Sequence, residues 1–145
     1  MIQKTRFPEK ARVEEKLAEL VRYYQDLLED LPSEEDFFGE RLSRRGIEKT
    51  MELIADAIID LALILVSSQG FEKPADSREA ITILEKNKVL SSPLAAKIKD
   101  LISFRNLIVH RYGKIEPHKE YTSISENHKD IPLFVKEIQR YVNSK

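Results

Sequence analysis

Four residues in the stretch SFRNLIVHRYGK, residues 103–114, combine groups that can move a proton beside an anion: Arg105, Asn106, His110 and Tyr112. A guanidinium is a permanently charged fork of N–H donors that fits a phosphate or carboxylate. An imidazole titrates near neutral pH and serves as general acid or base. Their spacing sets a geometric problem. At about 100° per residue, Arg105 and His110 diverge by about 140° around a helix, so a single rigid face cannot aim both at one small ligand. Either the helix loosens before Gly113, or a second copy of the chain supplies the other half of the site. Asn106, four residues before His110, shares its face and is placed to orient the ring. Arg111 and Lys114 give the segment a local basic character.

The element that must hold these groups is a helix in LSSPLAAKIKDLISFRNLIVHRYG, with Ser92 expected as N-cap, Pro93 at the first helical position and Gly113 as the stop. Ile98, Leu101, Ile102, Arg105, Val109 and Tyr112 fall on one side of it, so Arg105 lies on the apolar stripe. An unpaired guanidinium there would be costly. Asp56 and Asp60, one turn apart in LIADAIIDLALILV, are the expected partners.

The rest of the chain also reads as helix, because apolar residues recur at spacings of three and four and only four glycines are present. A first helix over about 9–31 carries Val13, Leu17, Leu20, Tyr24, Leu27 and Leu31 as one stripe, and Ser33 follows as the next N-cap. A central segment over about 34–68 is apolar around Ile54, Ile58, Leu61 and Leu65, with Gly46 expected to kink or divide it. A short helix opens at Ser77, another at Pro117, and a last one at Asp130 with Leu133, Phe134, Ile138 and Tyr141 on its apolar face. The expectation is an all-α antiparallel bundle of about five or six helices, in one domain over residues 1–145.

Composition narrows the function. The 145 residues carry a formal net charge of -1, so no global attraction to nucleic acid or membrane exists and any nucleic-acid site must be a local basic patch. No cysteine is present, which excludes disulfides, thiolate zinc sites and cysteine nucleophiles. The longest apolar run is too short to span a bilayer, and the start lacks the apolar core of a signal peptide, so a cytoplasmic location is expected. His118 and His128 have no metal-site spacing and read as solvent residues; no metal or cofactor is expected.

RNLIVHRY reproduces the R-N-x-x-x-H-x-Y motif of the HepT-like branch of the HEPN superfamily, and the resemblance extends over about residues 35–143 through RLSRRGIEKTMELIADAIIDLALILV and EKNKVLSSPLAAKIKDLISFRN. This resemblance implies a homodimeric helical bundle in which the motifs of two subunits line one cleft. It implies a metal-independent endoribonuclease toxin, with Arg105, Asn106 and His110 as the catalytic residues and Asp56, Asp60 and Arg111 in support. A minimal nucleotidyltransferase antitoxin is the implied partner, adding AMP to Tyr112. The alternative is a non-catalytic helical binding partner or substrate-presenting subunit of a nucleotidyltransferase. Residue by residue, the structural reading is that the arginine pairs with a carboxylate, the histidine caps the helix end and the tyrosine closes the core.

Overall fold

The computed structural model describes residues 9–32, 34–110 and 115–145. Among these residues the secondary structure is entirely helical: α1 Lys10–Asp30, α2 Glu34–Gly39, α3 Arg41–Ser68, α4 Ser77–Lys86, α5 Ser92–His110, α6 Pro117–Asn127 and α7 Asp130–Asn143. Ser33, Arg111, Tyr112, Gly113 and Lys114 lie outside the described residues, and with them the expected second N-cap, helix stop, supporting arginine and AMP acceptor.

The long α3, about 42 Å at 1.5 Å per residue, is the axis of the bundle. It packs against α1, α2, α4 and α5, while α7 lies on α1 and α5 and α6 meets α2. Ile54, Ile58, Leu61 and Leu65 are fully buried, as are Val13, Leu20 and Leu27 of α1 and Phe134 and Ile138 of α7. Leu133 departs from expectation: it is half exposed, and Ile131 and Val142 complete the α7 face in its place.

The central segment divides at Glu40, not at Gly46. Glu40 is extended, with φ -121° and ψ 103°, whereas the helix runs straight through Gly46, whose carbonyl accepts the Thr50 hydroxyl at 3.1 Å. One mid-helix glycine costs only about 1 kcal/mol, and the burial of Ile47 and Met51, which follow it, outweighs that. The start of α4 falls at Ser77 as expected, with Asp76 as its cap: Asp76 accepts the Glu79 amide at 2.8 Å, and the Glu79 side chain returns to the Ala75 amide. The start of α5 shifts by one residue: Ser91 rather than Ser92 precedes the helix, its carbonyl accepting the Ala95 amide at 2.9 Å. Glu137 of α7 then accepts both the amide and the hydroxyl of Ser91, at 2.7 and 3.0 Å, which puts a carboxylate at the positive end of the site helix.

Two helices end in the same left-handed motif with different residues. After α3, Phe71 donates to the Val66 carbonyl and Gly70 to that of Ser67, with Gly70 at φ 69°. After α4, Val89 donates to Leu84 and Lys88 to Glu85, with Lys88 at φ 65°. A β-carbon is strained in that conformation. Lys88→Gly is therefore expected to raise stability by about 1 kcal/mol in denaturant unfolding; an unchanged or lower stability would show that the strain is absent.

Candidate functional site

The last turns of α5 lie beside the middle of α3. Leu101, Ile102 and Ile108 are buried, and this packing fixes the helix so that Arg105 reaches across to Asp56. Val109, expected on the same stripe, is instead 37% exposed, and Ile108 takes its place in the core. Nε of Arg105 donates to Asp56 Oδ1 at 3.1 Å, Nη2 lies 3.1 Å from the same oxygen as an ion pair, and Nη1 donates to Asn106 Oδ1 at 3.2 Å. A guanidinium has five N–H bonds, so three remain without a hydrogen bond among the described residues, one on Nη1 and two on Nη2. The side chain is a quarter exposed, which leaves them open to an incoming anion.

Asp60 does not join this pair. One turn further along α3, its carboxylate accepts Lys16 Nζ at 3.2 Å, and that hydrogen bond holds the Lys16 pKa above its ordinary value. The expected role of Asn106 also changes: it receives Arg105 and makes no hydrogen bond to His110. His110 is exposed at the end of α5 and bonds to no described side chain. Within one chain, then, Arg105 and Asn106 are joined and His110 stands apart, as the 140° offset requires.

Sequence reasoning missed a buried charge cluster next to this segment. Arg44 Nε donates to Glu120 Oε1 at 2.8 Å, and its Nη2 donates to the Ile115 carbonyl at 2.9 Å. Glu120 is fully buried, and Glu48, 3% exposed, lies beside it with Oε2 unpartnered. Burial first, then a hydrogen bond to Glu120 and its charge, push Glu48 up to about 7; the hydrogen bond to Glu120 raises Arg44 as well. Ile115 is the first described residue after 111–114, so this cluster clamps the chain where it leaves the motif. The readable hint was Glu48 itself, one turn after Arg44 and between the buried Ile47 and Met51.

The other histidines are structural. His118 is exposed, with Nδ1 3.2 Å from Glu34 and its ring centroid 4.1 Å from that of Phe38. His128 is not the expected solvent residue: it is half-buried, its Nδ1 is 3.3 Å from the Tyr24 hydroxyl, and burial lowers its pKa. Among the described residues no cluster of three or more histidine and carboxylate side chains converges to hold a metal, and no helix is long and apolar enough to cross a membrane.

With this fold and site in place, comparison with known proteins assigns the class. A model of the HepT-like ribonucleases matches residues 13–138, and the chain belongs to that family. It is similar to a tRNA nuclease HepT of Aphanizomenon flos-aquae, 29% identical over 126 residues that cover 86% of each chain. An mRNA nuclease HepT of Shewanella oneidensis is 29% identical over 65 residues, 45% of this chain and 49% of that protein. The fold superposes with a TM-score of 0.83 on a tri-AMPylated Shewanella oneidensis HEPN toxin solved in complex with an MNT antitoxin, at 20% identity over 88% of this chain and 96% of that one.

The buried cluster gives the stability a defined pH dependence. Because Glu48 binds its proton more tightly folded than unfolded, its contribution is complete below about 4.5 and is lost as pH rises through about 7. Glu48→Gln mimics the protonated form and is expected to flatten this descent, which the difference between the two melting-temperature curves over that range isolates. Parallel curves would mean that Glu48 is ionised throughout.

Proposed function

We propose that this chain is a metal-independent endoribonuclease, the toxin of a two-gene module, with its active cleft shared between two copies. The observation that carries the proposal is the Arg105 anchor. The motif arginine is braced on the core by Asp56, held at Nη1 by Asn106, and keeps N–H groups on both terminal nitrogens for a phosphate.

In the proposed reaction the RNA 2′-hydroxyl attacks the adjacent phosphorus. A histidine base takes the hydroxyl proton, a bond forms from the 2′-oxygen to phosphorus, and the bond from phosphorus to the 5′-oxygen breaks, with a proton delivered to that leaving oxygen. The products are a 2′,3′-cyclic phosphate and a 5′-hydroxyl. His110 moves protons, and Arg105 stabilises the added negative charge on the pentacoordinate phosphate. A second copy resolves the angular offset, since its α5 end brings an Arg105 opposite the first copy's His110. Leu107 and Val109, 45% and 37% exposed, flank His110 with apolar surface suited to such a contact.

The proposed partner is a minimal nucleotidyltransferase antitoxin that transfers AMP to Tyr112. Each AMP adds a negative charge and bulk beside the site cations, in competition with RNA. The AMPylated, antitoxin-bound state of the similar Shewanella toxin supports this reading. The single helical domain is proposed to act in the cytoplasm without a cofactor.

Two experiments test the proposal. Purified chain, shown by intact mass to carry no AMP, is expected to cut RNA in EDTA, and His110→Ala to abolish cleavage. No cleavage by the unmodified protein would leave a non-catalytic partner of the nucleotidyltransferase instead. Asp56→Asn is expected to lower kcat by roughly 10- to 100-fold through misplacement of Arg105, while Asp60→Asn, whose partner is Lys16, stays close to the parent. Equal effects of the two would remove Asp56 from the site.

A further inference from the structure

Helix α5 carries its site residues on a longer polar face. Lys99, Ser103, Asn106 and His110 fall within about 60° of one another around the axis. Onto this face α4 lays Arg78, whose Nη1 donates to the Lys99 carbonyl at 2.8 Å and to the Ser103 hydroxyl. The bulk of the fold does not require this contact. The Lys99 carbonyl lies within α5, where it already accepts the Ser103 amide, and Ser103 is open enough for water to satisfy its hydroxyl. The arrangement instead fixes an exposed guanidinium in one orientation, with Nε and Nη2 free of any hydrogen bond to a described residue. Lys99, the neighbouring cation, is offset by Glu85 at 3.9 Å, whereas Arg78 has no acidic partner among the described residues.

Resting on the ribonuclease reading above, we propose that Arg78 is a phosphate-binding residue for the RNA strand beyond the cleavage point, at the far end of a track from His110 past Asn106 and Ser103. Seven residues of helix separate Ser103 from His110, about 10.5 Å. A stacked strand rises about 3.4 Å per nucleotide, so Arg78 meets a phosphate about three nucleotides from the one being cut. The docked arginine has already lost its rotamer freedom, so binding a phosphate there orders little further. The contact is to the backbone and carries no base preference.

The test uses the full-length His110→Ala chain, which is expected to hold RNA without cutting it, and a fluorescent single-stranded RNA of roughly ten nucleotides. Adding Arg78→Gln is expected to weaken binding about 10-fold and to make the slope of log affinity against log salt shallower by about 0.7, the loss of one phosphate contact on a single strand. Arg78→Lys keeps the slope. In the active chain, Arg78→Gln is expected to slow cleavage of the long RNA and to leave a dinucleotide, which cannot reach Arg78, cut at the parent rate. An unchanged affinity and slope would overturn the role of Arg78 alone, as would equal slowing on both substrates, the mark of a purely structural residue. A His110→Ala chain that binds no RNA, together with a parent that cuts none, would overturn the ribonuclease reading and this inference with it.

Discussion

An arginine on the core-facing side of a helix must find a carboxylate, and the rest of this site follows from where that carboxylate lies. Arg105 reaches Asp56 with two nitrogens. Because both groups keep partial exposure, the pair adds little to stability, and its main effect is on direction. It stops the guanidinium from swinging freely into solvent and fixes the plane in which its remaining donors lie. The buried Leu101, Ile102 and Ile108 that fix α5 on α3 hold the two residues in register.

The helix that bears the arginine is secured at both ends by charge. At its start, Glu137 grips the amide and hydroxyl of Ser91, tying α7 to the first turn. Beyond its end, Arg44 holds the Ile115 carbonyl while Glu120 and Glu48 supply buried charge at its back. Burial disfavours the charged form of Glu48, and the hydrogen bond and charge of neighbouring Glu120 add to it, so the Glu48 pKa is raised.

Much of this architecture was legible in the sequence because it depends on local period. The stripes of α1, α3 and α5, and the need of Arg105 for a carboxylate from Asp56 or Asp60, follow from counting turns. What counting cannot supply is which of two equivalent turns faces which neighbour. Asp56 and Asp60 look alike on a helical wheel, and only the position of Lys16 on α1 separates them. The same limit hid the burial of His128 against Tyr24 and the pairing of Arg44 with Glu120, which join residues 104 and 76 positions apart. Breaks set by backbone rather than composition were also missed: the chain bends at Glu40 although Gly46 is the conspicuous residue.

On the proposed reading, the anchored arginine and a histidine that bonds to no described side chain leave the site incomplete in one chain. Completion across a two-fold contact is the central claim, and it is open to complementation. The measurement is RNA cleavage by a heterodimer of Arg105→Ala and His110→Ala chains, co-expressed with different tags and purified through both, beside each homodimer alone. With a shared cleft, one of the two sites regains both residues, and the heterodimer is expected to recover about half of the parent activity while both homodimers stay inactive. A heterodimer as inactive as its parents would show that Arg105 and His110 act within the same chain, and would contradict the account.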